Sequence, residues 1–330
     1  MISQINVSTP GAGCEFFGRF DFINDIALGQ PYIGFCKGRD LLNLIQDICP
    51  NFYESVHKGT PFYWLGVAAF LISDFETALF FTDAAISEDI KVRCDLQNPP
   101  PAIKFMQLRE DGHAAGSLVN DAADEINRAI KVYNKIDCRN SNGNELTIDL
   151  VREHLLLRSI SPDSGSSVNL RTISTSLISY FLELRHKRSL RKLVVGSGTA
   201  EPFFLHLFKG CVVFESLLRA KLDRQQICDS LDRMINNVKD RLGLTKNINA
   251  GDSRLQQILC CIRSDSTCNS IDNSLKYTAQ LRNAVAHNFA WCEDFSIDDY
   301  NKLVTHISSS CLHAINCLYL PSSGSSSSSP

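Results

Sequence analysis

The stretch Ser296–Leu318 reads SIDDYNKLVTHISSSCLHAINCL. Its side chains Tyr300, Leu303, Ile307, Cys311, Ala314 and Leu318 recur every three or four residues, the period of one face of an α-helix. Ser296 stands three residues before Asp299, an acidic variant of the capping box, and Asp298 and Asp299 suit the positive end of the helix dipole. The same period runs through Leu118, Ala122, Ile126, Ala129, Ile130 and Tyr133, and again through Phe203, Leu207, Cys211, Phe214, Leu218 and Leu222. Alternating strand patterns are scarce, so the sequence predicts an all-α protein.

Punctuation divides the chain. Pro99-Pro100-Pro101 ends one helical region, Ser161–Ser167 (SPDSGSS) reads as a flexible connection, and Pro321–Pro330 (PSSGSSSSSP) is low-complexity sequence that cannot bury a core. The expected organisation is a helical sensor or partner region over 1–160, a linker over 161–175, a second domain over 176–320 and a disordered serine-rich tail over 321–330. Within the first region, Gly59–Ile90 resembles one tetratricopeptide unit: Phe62, Leu65, Gly66, Ala78 and Ala85 match its aromatic, Leu-Gly and small positions, whereas Ala69, Thr82 and Ile90 depart from it. No second copy follows at the family's period, and an ordinary helical hairpin is the competing reading.

With 330 residues and 44% hydrophobic content the chain can bury a real core. Charge is uneven: residues 1–180 hold 15 Lys+Arg against 22 Asp+Glu, and residues 181–330 hold 18 against 14. The mildly basic second half hints at an anionic partner there. The 13 cysteines form no CxxC pair, which speaks against zinc ribbons and disulfide frameworks and for reduced, mostly buried thiols. Met1–Gly13 has no signal-peptide pattern, and the most apolar run, Pro61–Ile72, is shorter than the roughly 18 residues of a membrane helix. A cytoplasmic protein with no membrane contact is expected.

The chemistry-bearing segment is Leu275–Ala290, LKYTAQLRNAVAHNFA. On a helix, Asn283 and His287 are i and i+4 and share a face. Arg282 lies about 140° round from His287, yet its long side chain can reach an anion held beside the imidazole. His287 falls near the expected helix C-terminus, where the dipole favours the imidazolium. A histidine that exchanges a proton beside a permanent cation suits phosphodiester chemistry. Spacing alone says little: with 19 Arg and 8 His in the chain, about half an Arg-x4-His match arises by chance.

The RN-x-x-x-H form of Arg282, Asn283 and His287 resembles the signature of the HEPN superfamily. Leu205–Leu222 resembles the helix in which such domains carry a glutamate before a Leu-Leu pair, here Glu215, Leu217 and Leu218. The resemblance covers residues 176–320 and is nearest the defence-type branch, sometimes called Apea-like; Phe289 stands where the nucleotidyltransferase-partnered branch usually has tyrosine. It implies a four-to-five-helix bundle and a homodimer in which two motifs share one cleft. It further implies a metal-independent endoribonuclease of stress or antiviral defence that leaves 2′,3′-cyclic phosphate ends. His287 would be general acid or base, Arg282 would stabilise phosphate charge, and Asn283 would position one or the other. Glu215 either faces this site or makes an i,i+4 pair with Arg219 on a solvated face.

Arg185, Lys187, Arg188, Arg191 and Lys192 form the densest basic cluster and are candidate RNA-binding residues, though a solvated helix face reads equally well. Gly11-Ala12-Gly13 and Gly196-Ser197-Gly198 lack the rest of a phosphate loop, and Thr199 reads better as a helix cap. His306 and His313 share a helix face without a carboxylate or thiol at ligand spacing, so no metal site and no cofactor is expected. The competing reading for the whole chain is a non-catalytic HEPN-type dimerisation or binding scaffold, with a partner docking on the N-terminal helices.

Overall fold

The computed structural model describes residues 10–92, 98–108, 116–136, 145–160, 167–193, 200–223, 230–251, 254–264, 270–287 and 295–321. Among them the regular structure is helical throughout, as an all-α protein requires. The helices are Pro10–Phe17 (α1), Phe22–Ala27 (α2), Pro31–Ile48 (α3), Pro50–Ser55 (α4), Gly59–Leu71 (α5), Phe75–Lys91 (α6), Pro101–Met106 (α7) and Gly116–Ile136 (α8). There follow Ile148–Val151 (α9), a π-helical turn over Arg152–Leu156, Leu157–Ile160 (α10) and Ser167–Leu193 (α11). The last five are Glu201–Arg219 (α12), Leu231–Asn237 (α13), Leu255–Ser264 (α14), Ile271–His287 (α15) and Ile297–Leu318 (α16). No helix of the described residues is long and apolar enough to cross a membrane.

The chain forms two compact units, residues 1–122 with 156–179 and residues 123–155 with 180–330. The division therefore does not fall at one linker over 161–175. Residues 167–175 already belong to α11, because Ile173, Leu177, Ile178 and Phe181 continue one buried helical stripe. Residues 161–166, the serine-rich tail beyond 321 and the Gly196–Gly198 loop with Thr199 lie outside the described residues.

In the first unit, α5 and α6 are joined by residues 72–74 and pack closely. Leu65, Ala78 and Ala85 are fully buried, and a Cβ on Gly66 would stand 3.0 Å from the Thr82 hydroxyl oxygen, so small residues set the approach. Asp74 caps α6 by accepting from the Thr77 amide at 3.2 Å. Phe17, Leu42, Val56 and Leu65 form a core cluster against which Phe16, Phe35 and Phe52 pack. Gly13 has a steric reason: a Cβ there would meet the His57 carbonyl oxygen at 2.4 Å. The next residue, Lys58, is buried, donates to the carbonyls of Tyr53 and Val56 at 2.7 and 2.9 Å, and pairs with Glu88. Lys91 takes the other Glu88 oxygen at 2.6 Å. Arg171 of α11 grips Asp83 at 2.6 Å and the Ser87 hydroxyl at 2.9 Å.

In the second unit, α16 is buried along nearly its whole length and packs on α12 and α15. The expected cap is present: Ser296 Oγ accepts from the Asp299 amide, and the Asp299 carboxylate accepts from the Ser296 amide. Several of its polar side chains find partners inside. His313 Nε2 donates to the Leu242 carbonyl at 2.9 Å, so Nδ1 accepts from the Tyr133 hydroxyl at 3.1 Å, and that hydroxyl accepts from Asn316 at 3.0 Å. His206 of α12 repeats the scheme, with Nε2 donating to the Tyr180 carbonyl and Nδ1 accepting from Tyr300, both at 2.9 Å. The Tyr180 ring stacks on it at 4.4 Å. Burial, against the raising influence of Glu183, pushes His206 down to about 4, so it stays neutral. His306 shares a bond with Ser274 at 3.1 Å. Two asparagines act as clamps: Asn134 exchanges both amide bonds with the backbone of Leu146, and Asn236 does so with Ile248.

Two outcomes test this account. Arg263 grips Asp299 at 3.0 and 2.7 Å. Burial would raise the Asp299 carboxyl, but the bonds from Arg263 and Ser296 outweigh it and hold it at about 2. Its contribution is full above the unfolded-state pKa of about 3.9 and is lost as pH falls towards about 2. Asp299→Asn should cost about 1–3 kcal/mol at neutral pH. In urea melts the deficit should close as pH drops through that window, and a deficit independent of pH would refute the assignment. Gly13→Ala should cost about 1–3 kcal/mol, seen as a lowered urea midpoint, because the clash is with backbone.

Candidate functional site

Helix α15 turns Leu281 and Val285 fully inwards. Two polar contacts fix it to its neighbours: Thr278 Oγ1 lies 2.9 Å from Ser310 Oγ on α16, and its carbonyl accepts from Cys211 Sγ of α12 at 3.6 Å. This seating decides where Arg282 goes. Its Nε donates to Glu215 Oε2 of α12 at 2.9 Å, while Arg219 Nε donates to Glu215 Oε1, also at 2.9 Å. Glu215 is 8% exposed, so its carboxylate is a buried anion between two guanidiniums. The i,i+4 pair of Glu215 with Arg219 is present, on a buried rather than a solvated carboxylate, and the second oxygen bonds Arg282 of α15.

Asn283 is half-buried on the same helix, and His287 is the last residue of α15. The side chain of His287 and the position of Phe289 lie outside the described residues. The backbone places Asn283 and His287 one turn apart and His287 at the helix C-terminus, where cations are favoured. Beside Arg282, burial and then the nearby Cys311 push the Cys211 thiol well up, so it is a neutral packing group rather than a nucleophile.

The basic cluster on α11 has a different character. Arg185 is exposed. Lys187 pairs with Glu183 Oε1 at 3.6 Å, and Lys209 of α12 takes the other Glu183 oxygen at 2.9 Å. Arg188 makes a short bond to Glu125 of α8. The side chains of Arg191 and Lys192 lie outside the described residues. Arg282 thus engages α12, whereas Lys187 and Arg188 engage buried acids of α11 and α8.

Sequence reading passed over those acids. Glu125 is 2% exposed and stands between Ala122 and Ala129 on the apolar stripe of α8; Glu183 lies beside Phe181 and Leu184. An acid in register with a buried stripe, with a cation three or four residues on, is the signal that marks both. The cysteines also divide more evenly than expected. Cys211 and Cys311 are buried, while Cys14, Cys260 and Cys261 are exposed, the last two because α14 packs through Leu255, Ile258, Leu259 and Ile262 instead. His306 and His313 are both buried. Among the described residues no group of His, Cys, Asp and Glu is arranged to hold a metal ion.

No family model, no curated protein and no solved structure matches the chain.

Removing the Glu215 carboxylate strands two guanidiniums, so Glu215→Ala should cost on the order of 2–4 kcal/mol in urea unfolding, and Glu215→Gln less. A double-mutant cycle should give a larger coupling for Glu215 with Arg282, 23% exposed, than with Arg219, 36% exposed. Equal couplings would deny Arg282 its place as the inner partner.

Proposed function

We propose that residues 176–320 form a HEPN-type domain and that the protein is a metal-independent endoribonuclease. The observation that carries the reading is the RN-x-x-x-H sequence at the C-terminal end of one helix, with its arginine fixed by a buried glutamate on the neighbouring helix. Such an arginine is pre-organised: its orientation is set before a phosphate arrives, which is where electrostatic catalysis gains most. In this reading His287 takes the proton from a ribose 2′-hydroxyl or returns one to the leaving 5′-oxygen. Arg282 neutralises charge on the phosphate in flight, and Asn283 holds the imidazole or a phosphate oxygen. The 2′-oxygen attacks phosphorus, the P–O5′ bond breaks, and a 2′,3′-cyclic phosphate remains. The proposed working form is a homodimer with two motifs at one cleft, cytoplasmic, acting in defence or stress response. Arg185, exposed on α11, would guide RNA, and the N-terminal helices would sense a trigger or hold a protein partner.

A second reading has its own support. Glu215 with Arg219 and Arg282 is a complete ion-pair cluster within one chain, sufficient to lock two helices of a non-catalytic scaffold.

Cleavage of a mixed RNA pool in EDTA separates the two. The wild type should cut and leave 2′,3′-cyclic phosphate ends, and His287→Ala should lose at least about a hundredfold in rate while keeping its unfolding midpoint. Cleavage unaffected by His287→Ala would remove the motif from the chemistry. Absence of cutting, with equal effects of both forms in cells, would favour the scaffold.

A further inference from the structure

In the second unit, α12 carries apolar side chains on two faces. Phe204, Leu207, Cys211, Phe214 and Leu218 turn inwards and are buried. Leu205, Phe208 and Val212 turn outwards at i, i+3 and i+7, the spacing of a coiled-coil seam. Leu205 is 46% exposed, Val212 is 40% exposed, and Phe208 is half-buried. Scattered apolar groups on a surface need no explanation, but three in one row on a helix already packed on its other side form a face. The exposed Ile33 and Leu44 of α3 make no such row, because Lys37, Asp40 and Asp47 stand among them on the same side of that helix.

Charge is placed at the two ends of this face. Glu201, exposed, lies one turn before Leu205. Beyond Val212 comes the cluster in which Arg219 and Arg282 share the Glu215 carboxylate, a net charge of one positive unit. Between the ends the only charge on α12 is Lys209 at the border of the row, and it is turned to Glu183. About the level of Gly210 the face is its own complement: Glu201 stands as far to one side as Arg219 to the other, and Phe208 as far as Val212. Two copies laid antiparallel set acid against base at both ends and apolar against apolar between, as an isologous contact requires. The row from Glu201 to Arg219 is about 27 Å long.

We propose that this outward face of α12 is the contact with a second copy of the chain, joined antiparallel about a two-fold axis at the level of Gly210. Phe208 packs on Val212 of the partner subunit, and Glu201 meets Arg219 of the partner subunit. The two Glu215 carboxylates then lie ten residues of rise, about 15 Å, apart along the helix axes. The contact gives a place to the homodimer of the ribonuclease reading, and it rests on that reading for its catalytic meaning.

Sedimentation velocity on the full chain tests it. One helix face per copy is a small interface, so the wild type should pass from monomer to dimer between about 1 and 200 µM. Leu205→Lys sets a cation against the partner's positive cluster, and Val212→Asp sets two like charges near the axis. Each should weaken association about tenfold or more and keep the urea midpoint, since both side chains are exposed. Glu201→Arg should weaken it as well, because the new cation would face Arg219 of the partner subunit; a parallel pairing would be indifferent to it. Leu44→Asp on α3 should associate as the wild type does. A wild type that stays monomeric throughout overturns the proposal. So does dimerisation of Leu205→Lys and Val212→Asp at wild-type strength, an ineffective Glu201→Arg, or an equal loss with Leu44→Asp. The readout needs no RNA: a dimer through α12 that does not cut counts against the ribonuclease reading alone, and a monomer that cuts counts against the contact alone.

Discussion

A buried glutamate shared by two cations recurs in this protein and sets how its helices meet. Glu215 holds Arg219 and Arg282, Glu125 holds Arg128 and Arg188, Glu183 holds Lys187 and Lys209, and Glu88 holds Lys91 and Lys58. In each, one cation is three or four residues along the same helix and the other comes from a distant element. The near partner costs little entropy, since the helix already places it. The far partner is attained only when two elements meet in one register. A carboxylate with one partner would leave lone pairs bare in a dry site, so the second cation completes the burial. These clusters act less as sources of stability than as statements of which helix lies beside which.

Around them, α16 imposes a second demand. A helix buried on nearly all sides and carrying histidines, serines and asparagines must find partners for most of its polar atoms among its neighbours. His313 and His206 meet the demand in the same manner, giving Nε2–H to a backbone carbonyl and taking a tyrosine hydroxyl at Nδ1. Both imidazoles are tied between a carbonyl and a tyrosine hydroxyl, and burial keeps His206 neutral, which is why these histidines serve structure rather than proton transfer.

What was legible in the sequence follows from what is local. The period of Tyr300–Leu318, the Ser296 cap, and the short hairpin with Gly66, Ala78 and Ala85 depend on neighbours within a turn or two, and the helices appear where those signals stand. The i,i+4 contact of Glu215 with Arg219 was legible for the same reason. Its bond to Arg282 joins residues 67 apart, and the Arg188–Glu125 pair joins residues 63 apart. No spacing rule reaches that far. Division of the chain failed to show for a related reason: α11 is one continuous helix across 167–193, so no break in composition marks where one core ends and the next begins.

The asparagine clamps carry a consequence in chemical ageing. Asn134 and Asn236 each use the amide nitrogen as donor to a carbonyl and the amide oxygen as acceptor from the same residue's N–H. Deamidation would replace the donor with a second carboxylate oxygen, turning one attraction at each clamp into a repulsion between lone pairs and adding a negative charge. The slow hydrolysis that most surface asparagines tolerate would here open the loops held at Leu146 and Ile248. The folded lifetime of the second unit is thus tied to how well two amides are kept from water.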